Sequence, residues 1–151
     1  MFSCAQYSAD GPRVQYAYCV PRAFFSDRLL VQAYSFTSAP IARALRDAHK
    51  RGVAVTVILD RSQRSERYSS ADFLAHAGIP IFIDAAHAIA HNKVMLIDGA
   101  TLVTGSFNFT KAAQERNAEN LLMLRGDAGL VRRYRENVDT HRAHAERYEG
   151  R

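Results

Sequence analysis

Two neighbouring β-prone runs constrain this chain more than any other feature, because each has polar residues two positions apart at one of its ends. The first run, residues 91–98, places His91 two positions before Lys93 and then continues through apolar residues. The second run ends in Ser106 and Asn108, again two positions apart. Residues i and i+2 of an extended strand point to the same face. The sequence therefore predicts a pocket that holds an imidazole, an ammonium and neutral donors, which suits a phosphodiester.

The rest of the chain alternates between β-prone and helical patterns. Strands are predicted at residues 29–36, 53–59, 79–83, 93–97, 102–104 and 120–124, and residues 14–19 alternate as an edge strand would. Helices are predicted over about 41–48, with Ser38 as N-cap and Pro40 in the first turn, over about 70–77, and from the cap Asp127 to about Tyr148. A polar loop spans residues 60–67. This alternation predicts the α/β fold class with a mixed sheet.

The polar residues of the two runs fit the signature H-x-K-x4-D followed by G-S-x-N, and on these residues the chain resembles the phospholipase D superfamily. The matching residues are His91, Lys93, Asp98, Gly105, Ser106 and Asn108. The chain is most similar to the single-motif bacterial endonucleases of the Nuc branch, over residues 33–37, 50–53 and 105–120. The resemblance covers roughly residues 29–148. It implies a phospholipase D-like layered α/β/α fold around a mixed β-sheet.

The N-terminal region departs from that family. Members open with a strand and a long helix, whereas only residues 14–28 precede Leu29 here, and they lack the length and apolar spacing of such a helix. The first helix is expected to be short or missing. We therefore divide the chain into an atypical N-terminal segment, residues 1–28, and a phospholipase D-like catalytic domain, residues 29–151.

The resemblance also implies a mechanism. His91 would attack phosphorus to give a phosphohistidine, and Lys93, Asn108 and Ser106 would bind the phosphate oxygens. Glu119 matches the family carboxylate that hydrogen-bonds the nucleophilic imidazole and fixes its orientation. Because the chain carries one motif where the phospholipases carry two, a homodimer with a shared active site is expected. The scheme needs no metal and no cofactor.

Other residues around the motifs have two interpretations each. Asp98 should lie about 16 Å from Lys93, at roughly 3.3 Å per strand residue, so we interpret it as a turn-forming or interface residue. Phe107 and Phe109 alternate with the polar positions and should point into the core. Three basic residues are candidates for substrate contacts or for plain solvated positions, and these are Arg61, Arg64 and Lys111.

The charge balance indicates the class of partner. The formal net charge is +5 and the sequence pI is about 9.5, which favours polyanions such as nucleic acid or acidic lipid headgroups. The leading hypothesis is a metal-independent endonuclease on DNA or RNA with little sequence preference. The alternatives are a phospholipase D acting on phospholipid headgroups and a non-catalytic nucleic-acid-binding remnant.

The remaining signals are weaker. His87 and His91 are spaced as a helical metal pair would be, but they run into a strand and no third ligand is evident, so we expect no metal site and place His87 along the cleft. The basic residues of the last helix, among them His141, are interpreted as a solvated face. Cys4 and Cys19 could be paired or free. The start lacks a signal-peptide pattern although relatives of this family are often exported, so the compartment stays open.

Overall fold

The computed structural model describes residues 27–151 in full and, of the preceding segment, the backbone of residues 6–7 and 14–15. Two short strands, β1 (Gln6–Tyr7) and β2 (Val14–Gln15), pair with each other in a separate antiparallel ribbon. Seven strands form the main sheet: β3 (Arg28–Ala33), β4 (Ala54–Asp60), β5 (Ile81–Asp84), β6 (Lys93–Ile97), β7 (Thr101–Gly105), β8 (Leu121–Arg125) and β9 (Glu146–Tyr148).

The sheet is mixed, and its order is β8-β7-β6-β3-β4-β5-β9. The pairs β3–β4 and β4–β5 are parallel, and every other neighbouring pair in the main sheet is antiparallel. The carboxyl ends of β3, β4, β5 and β7 therefore lie at the same edge of the sheet as the amino end of β6. Both motif segments begin or end at that edge, so the topology brings them together.

Helices cover both faces of the sheet. They are α1 (Ala39–Lys50), α2 (Ala71–His76), α3 (Lys111–Glu115) and α4 (Ala128–His144), with a 3₁₀ turn at Arg61–Arg64. The larger core combines sheet residues such as Val31 and Val57 with residues of α1 and α2 such as Leu45 and Leu74. A smaller core on the other face packs Leu30, Ile58, Val94, Leu96 and Leu102 against Val131 and Val138 of α4. The layered α/β/α fold around a mixed sheet is confirmed.

The helix starts follow the predicted local signals. Ser38 occupies the N-cap of α1 and its carbonyl accepts the Ala42 N–H at 3.0 Å, although its side chain makes no capping hydrogen bond. Pro40 lies in the first turn, where its missing N–H costs no helical hydrogen bond. The Asp127 carboxylate accepts the Leu130 N–H at 2.9 Å and caps α4 as predicted.

Three features differ from the sequence-based expectations. The last helix ends at His144, because Ala145 is extended (φ −82°, ψ 146°) and the chain then pairs as β9 with β5, burying Tyr148 on Ile81. Residues 14–15 pair with β1 and not with the main sheet. The short helix α3, capped by the Thr110 hydroxyl, has too few residues to give a periodic signal.

The predicted short or missing first helix concerns residues 14–28, and residues 16–26 lie outside the described part of the chain, as do Cys4 and Cys19. Over the described residues, every helix falls short of the length and apolarity that a membrane crossing requires.

Candidate active site

His91 lies in the loop between β5 and β6 and is exposed at the sheet edge. The backbone on either side of it is fixed. The buried Asp60 carboxylate, at the end of β4, accepts the Ala90 N–H at 2.7 Å, and the Asn92 carbonyl accepts the Tyr34 N–H at 2.9 Å. The loop therefore presents His91 on a backbone anchored to β4 and to the end of β3.

The Tyr34 ring contacts both His91 and Lys93 of the first motif. The ring centroids of Tyr34 and His91 are 4.6 Å apart at an interplanar angle of 58°, and the Lys93 ammonium lies 5.3 Å from the Tyr34 centroid. Cation–π contact favours an ammonium over a phenol ring. Sequence reasoning used Tyr34 only as part of the family resemblance. The available signal was its position one residue beyond β3, at the edge where strand ends carry ligands.

Lys93 is the buried cation of this site. The whole residue is 8% exposed, and its ammonium donates to the His91 carbonyl oxygen at 3.0 Å. Burial lowers the pKa of Lys93, and the Glu119 carboxylate opposes that shift. A cation held this way is available to bind an anionic oxygen, with little competition from water.

Gly105 allows the second motif to approach β8 closely. Its φ is +151°, and a Cβ there would come within 2.3 Å of the Asn120 carbonyl oxygen. The Ser106 N–H donates to that same oxygen at 3.1 Å, and the Asn120 N–H donates to the Ser106 hydroxyl at 3.0 Å. A side chain at position 105 would therefore separate Ser106 from the segment that carries Glu119.

Glu119 is fixed by two polar neighbours. Its carboxylate accepts the Ser106 hydroxyl at 2.5 Å and the Asn117 amide at 2.9 Å. In this structure the carboxylate is thus hydrogen-bonded to Ser106 and Asn117, and not to His91 as the family resemblance implied. It still lies near enough to Lys93 to act on the pKa of that ammonium.

Asn108 is held between two buried phenylalanines. Phe107 and Phe109 are 2% and 3% exposed, so the prediction that they point into the core is confirmed. Phe109 also bridges to Phe36, which ties the second motif to the segment that carries Tyr34. The Asn108 side-chain oxygen is buried, and among the described residues it has no hydrogen-bond partner. A buried amide atom without a partner is costly, which is typical of groups that bind a ligand.

Asp98 forms the turn at the far end of β6. It has φ +52°, and its carboxylate accepts the backbone N–H groups of Asp27 and Arg28 at 3.1 and 3.0 Å. The turn-forming interpretation is confirmed, and Asp98 is at the opposite end of β6 from Lys93.

The outlying basic residues are spread over the sheet. Arg64 pairs with Glu146 of β9 at 2.6 Å. Arg61 is exposed in the 3₁₀ turn. Lys111 is 80% exposed and makes a loose 3.7 Å contact with Glu115.

The expectation that His141 belongs to a solvated face is wrong, and His87 contacts Asp84 and the rings of His141 and His144. His141 is 12% exposed and its ring nitrogen is 2.6 Å from the buried Asp84 carboxylate, which His87 also contacts at 3.3 Å. The polar end of β5 requires partners, and α4 supplies two, His141 and His144, from 57 and 60 residues away along the chain. These contacts could not be read from the helix pattern.

The comparison with known families decides where this arrangement belongs. Residues 25–142 match the family described as the PLD-like domain of cardiolipin synthase. The chain belongs to the phospholipase D superfamily. The match includes both motif segments and every strand of the main sheet except β9. It ends at residue 142, within α4.

Curated relatives of this superfamily member carry two kinds of name. A phospholipase D of Rickettsia felis is 43% identical over 111 residues, which are 74% of this chain and 55% of that protein. A mitochondrial cardiolipin hydrolase of Xenopus laevis is 33% identical over 106 residues, 70% of this chain and 50% of the relative. The chain thus spans about half the length of the curated relatives it matches.

Solved structures of the superfamily have the same fold. Nuc of Salmonella typhimurium, a phospholipase D family member, superimposes with a TM-score of 0.81 at 34% identity and covers 83% of this chain and 84% of Nuc. NucT of Helicobacter pylori gives a TM-score of 0.76 at 24% identity, over 82% of this chain and 84% of NucT. The second similarity concerns the fold alone.

Proposed function

We propose that this chain is a metal-independent phosphodiesterase that cleaves DNA or RNA as a nonspecific endonuclease, through a phosphohistidine on His91 in a homodimer. The observation that carries the proposal is the contact of both His91 and Lys93 with the Tyr34 ring, at the sheet edge where Ser106 and Glu119 also lie. A nucleophile and a buried cation on one rigid surface are what phosphoryl transfer requires.

The reaction takes two balanced steps. An imidazole nitrogen of His91 attacks phosphorus, the bond to the leaving oxygen breaks, and His91 of the partner subunit gives that oxygen a proton. The same partner imidazole then takes a proton from water, whose oxygen attacks phosphorus and releases His91. Lys93 balances charge on the non-bridging oxygens in both steps, and the Asn108 amide adds a neutral donor once it has turned its NH₂ toward the substrate.

Apolar exposure around the motifs supports the dimer. β8 pairs only with β7 among the described strands, and its Leu122 and Met123 are 52% and 54% exposed. Ile89, two residues before His91, is 56% exposed. Exposed apolar side chains beside both motifs favour a second copy of this chain as the occupant, because a two-fold axis there places two His91 residues at one site.

Nucleic acid is the preferred substrate because of charge and resemblance. The net charge of +5 favours a polyanion, and the similarity to the Nuc-type endonucleases extends across both motifs. Phospholipid headgroup hydrolysis is the second candidate, since curated relatives of this chain are named phospholipase D and cardiolipin hydrolase. Arg64 is left out of the proposed substrate contacts because Glu146 holds it on β9. Arg61 and Lys111 remain candidates for phosphate contacts.

The test compares wild type, His91→Ala and the control His76→Ala on supercoiled plasmid and on vesicles of cardiolipin or phosphatidylcholine, with EDTA present. His76 is exposed on α2 and away from the motifs, so its loss controls for removal of a histidine. We expect plasmid cleavage by wild type and His76→Ala, and a loss of about 10⁴-fold or more for His91→Ala.

Two results would contradict the proposal. Loss of cleavage in EDTA that Mg²⁺ restores would require a metal-dependent mechanism. Vesicle hydrolysis without plasmid cleavage would replace the nuclease by a lipid hydrolase.

A further inference from the structure

A second cluster of chemically competent side chains lies on the α4 face of the sheet. It consists of Asp84 at the end of β5, His87 in the following loop, and His141 and His144 in the last turn of α4. Asp84 pairs with Asp60 of β4, whose carboxylate accepts the Ala90 N–H, so the cluster adjoins the loop that carries His91. His91 itself is not a member of the cluster.

We propose that this cluster, the Asp84–His144 site, binds one Zn²⁺ or a similar divalent transition metal in a closed structural site. Three imidazoles and one carboxylate are a complete tetrahedral donor set, with no position left for water or substrate. The four ligand atoms all lie within 4.8 Å of one another. The sequence pattern is Asp-x2-His followed, far along the chain, by His-x2-His.

The distances fit such an ion. Bonds of about 2.0–2.2 Å at tetrahedral angles separate neighbouring ligand atoms by about 3.3 Å. The Asp84 oxygens lie 3.3 Å from the His87 nitrogen and 3.2 Å from the His144 nitrogen, and a shorter 2.6 Å contact joins Asp84 to His141. The His141 contact is shorter than this separation, so its ring must move outward to admit the ion.

The electrostatics of the cluster also favour a cation. The Asp84 side chain is fully buried, and its carboxylate oxygens contact the ring nitrogens of all three histidines. The three imidazole rings have centroid separations of 4.9 to 5.4 Å. Three ring nitrogens grouped around one buried carboxylate are a donor set that suits a divalent transition metal.

The fold leaves the site open to an ion from solvent and places it where a bound ion would stabilise α4. His87 and His144 are 48% and 34% exposed, so an ion can reach the site from solvent. Among the residues of α4 only Val131 and Val138 are buried, so the helix has a thin apolar attachment to the sheet. A metal at its last turn would fix α4 and the strand that follows it, and would also fix the loop that leads from His87 to His91.

The experiment measures metal content and thermal stability, not activity. Untagged protein is purified without chelator from zinc-supplemented cells, and zinc is counted by mass spectrometry in wild type, His87→Ala, Asp84→Asn and the control His76→Ala. His87 is the most exposed ligand, so its removal costs the least packing, and circular dichroism confirms that each variant is folded. Tm is measured with EDTA and with excess ZnCl₂, and Co²⁺ replaces zinc to report tetrahedral geometry in the visible spectrum.

We expect one zinc per chain in wild type and His76→Ala, with Tm higher by about 5–10 °C in zinc than in EDTA at 100 times Kd. In His87→Ala and Asp84→Asn the bound zinc, the zinc-dependent Tm shift and the tetrahedral Co²⁺ spectrum should be lost. Wild type without zinc above the buffer level and without a Tm shift on addition of ZnCl₂ would overturn the proposal, as would an equal loss in His76→Ala. Because His91 is not a ligand, His91→Ala should keep its zinc, which separates this outcome from that of the nuclease proposal.

Discussion

The ring of Tyr34 lies against the imidazole of His91, with ring centroids 4.6 Å apart. Tyr34 is also the residue whose N–H fixes the loop, through the Asn92 carbonyl. The same aromatic surface supports the Lys93 ammonium. The proposed nucleophile and the cation thus share one aromatic neighbour, which limits the freedom of both before any substrate binds.

Removing the Tyr34 ring should slow the reaction more than it weakens binding. For Tyr34→Ala we expect kcat on a chromogenic phosphodiester to fall by about 10- to 100-fold, because misplacement of a reacting group by about 1 Å has effects of that size. Tyr34→Phe keeps the ring and should stay near wild type, so it is the matched control. Equal losses in both variants would assign the effect to the hydroxyl and not to ring packing.

Gly105 should tolerate no side chain. In Gly105→Ala the new Cβ meets the Asn120 carbonyl oxygen, so β8 must move and the Ser106–Glu119 contact is lost. We expect a Tm lower by several degrees and a clear loss of kcat, measured by thermal unfolding and the same phosphodiester assay. Gly99→Ala is the control, because Gly99 also has positive φ (+65°) but open space around it. A Gly99→Ala variant as damaged as Gly105→Ala would mean that backbone strain, and not the clash, is responsible.

The alkaline limb of the pH–rate profile should depend on Glu119. Burial lowers the pKa of Lys93, and the Glu119 carboxylate raises it. Glu119→Gln removes the raising contribution, so the pKa of Lys93 falls further and the protonated form is lost at a lower pH. The limb of kcat/KM should therefore shift to lower pH, while Glu115→Gln, which alters only a loose surface pair with Lys111, should leave it in place. A shift to higher pH in Glu119→Gln would be the wrong sign for this account.

A charge on the exposed edge of β8 should separate the proposed dimer. Leu122→Glu places a carboxylate on the exposed part of β8, and desolvating that carboxylate disfavours association. We expect monomers at micromolar concentration by analytical ultracentrifugation, with loss of activity and an unchanged far-ultraviolet spectrum. The control is Tyr68→Glu, since Tyr68 is 69% exposed in the loop before α2. A fully active Leu122→Glu monomer would exclude a shared active site.

Much of the fold was predictable because its signals are local. The buried strand β4 is rich in β-branched residues, the caps Ser38 and Asp127 mark helix starts, and the alternation at His91 and Lys93 gives their common face. The strand predicted to begin at residue 29 begins at Arg28 in the main sheet.

The features that sequence reasoning missed are tertiary. The helical sequence pattern of α4 extends through residues 146–148. Only their pairing with β5 makes these residues a strand. The Asp84 cluster joins residues up to 60 apart, so no local window contains it. Tyr34 acts through ring packing, which has no spacing signature.

The most direct test of the central claim is to trap the covalent intermediate. Protein is mixed with an oligonucleotide radiolabelled at the phosphate retained by the enzyme, quenched in alkaline denaturant, and digested for peptide mapping. The account predicts a label on the peptide that contains His91, stable in base and lost in mild acid as a phosphohistidine is, and absent from His91→Ala. Steady turnover with no label on His91, or a label carried equally by His91→Ala, would contradict it.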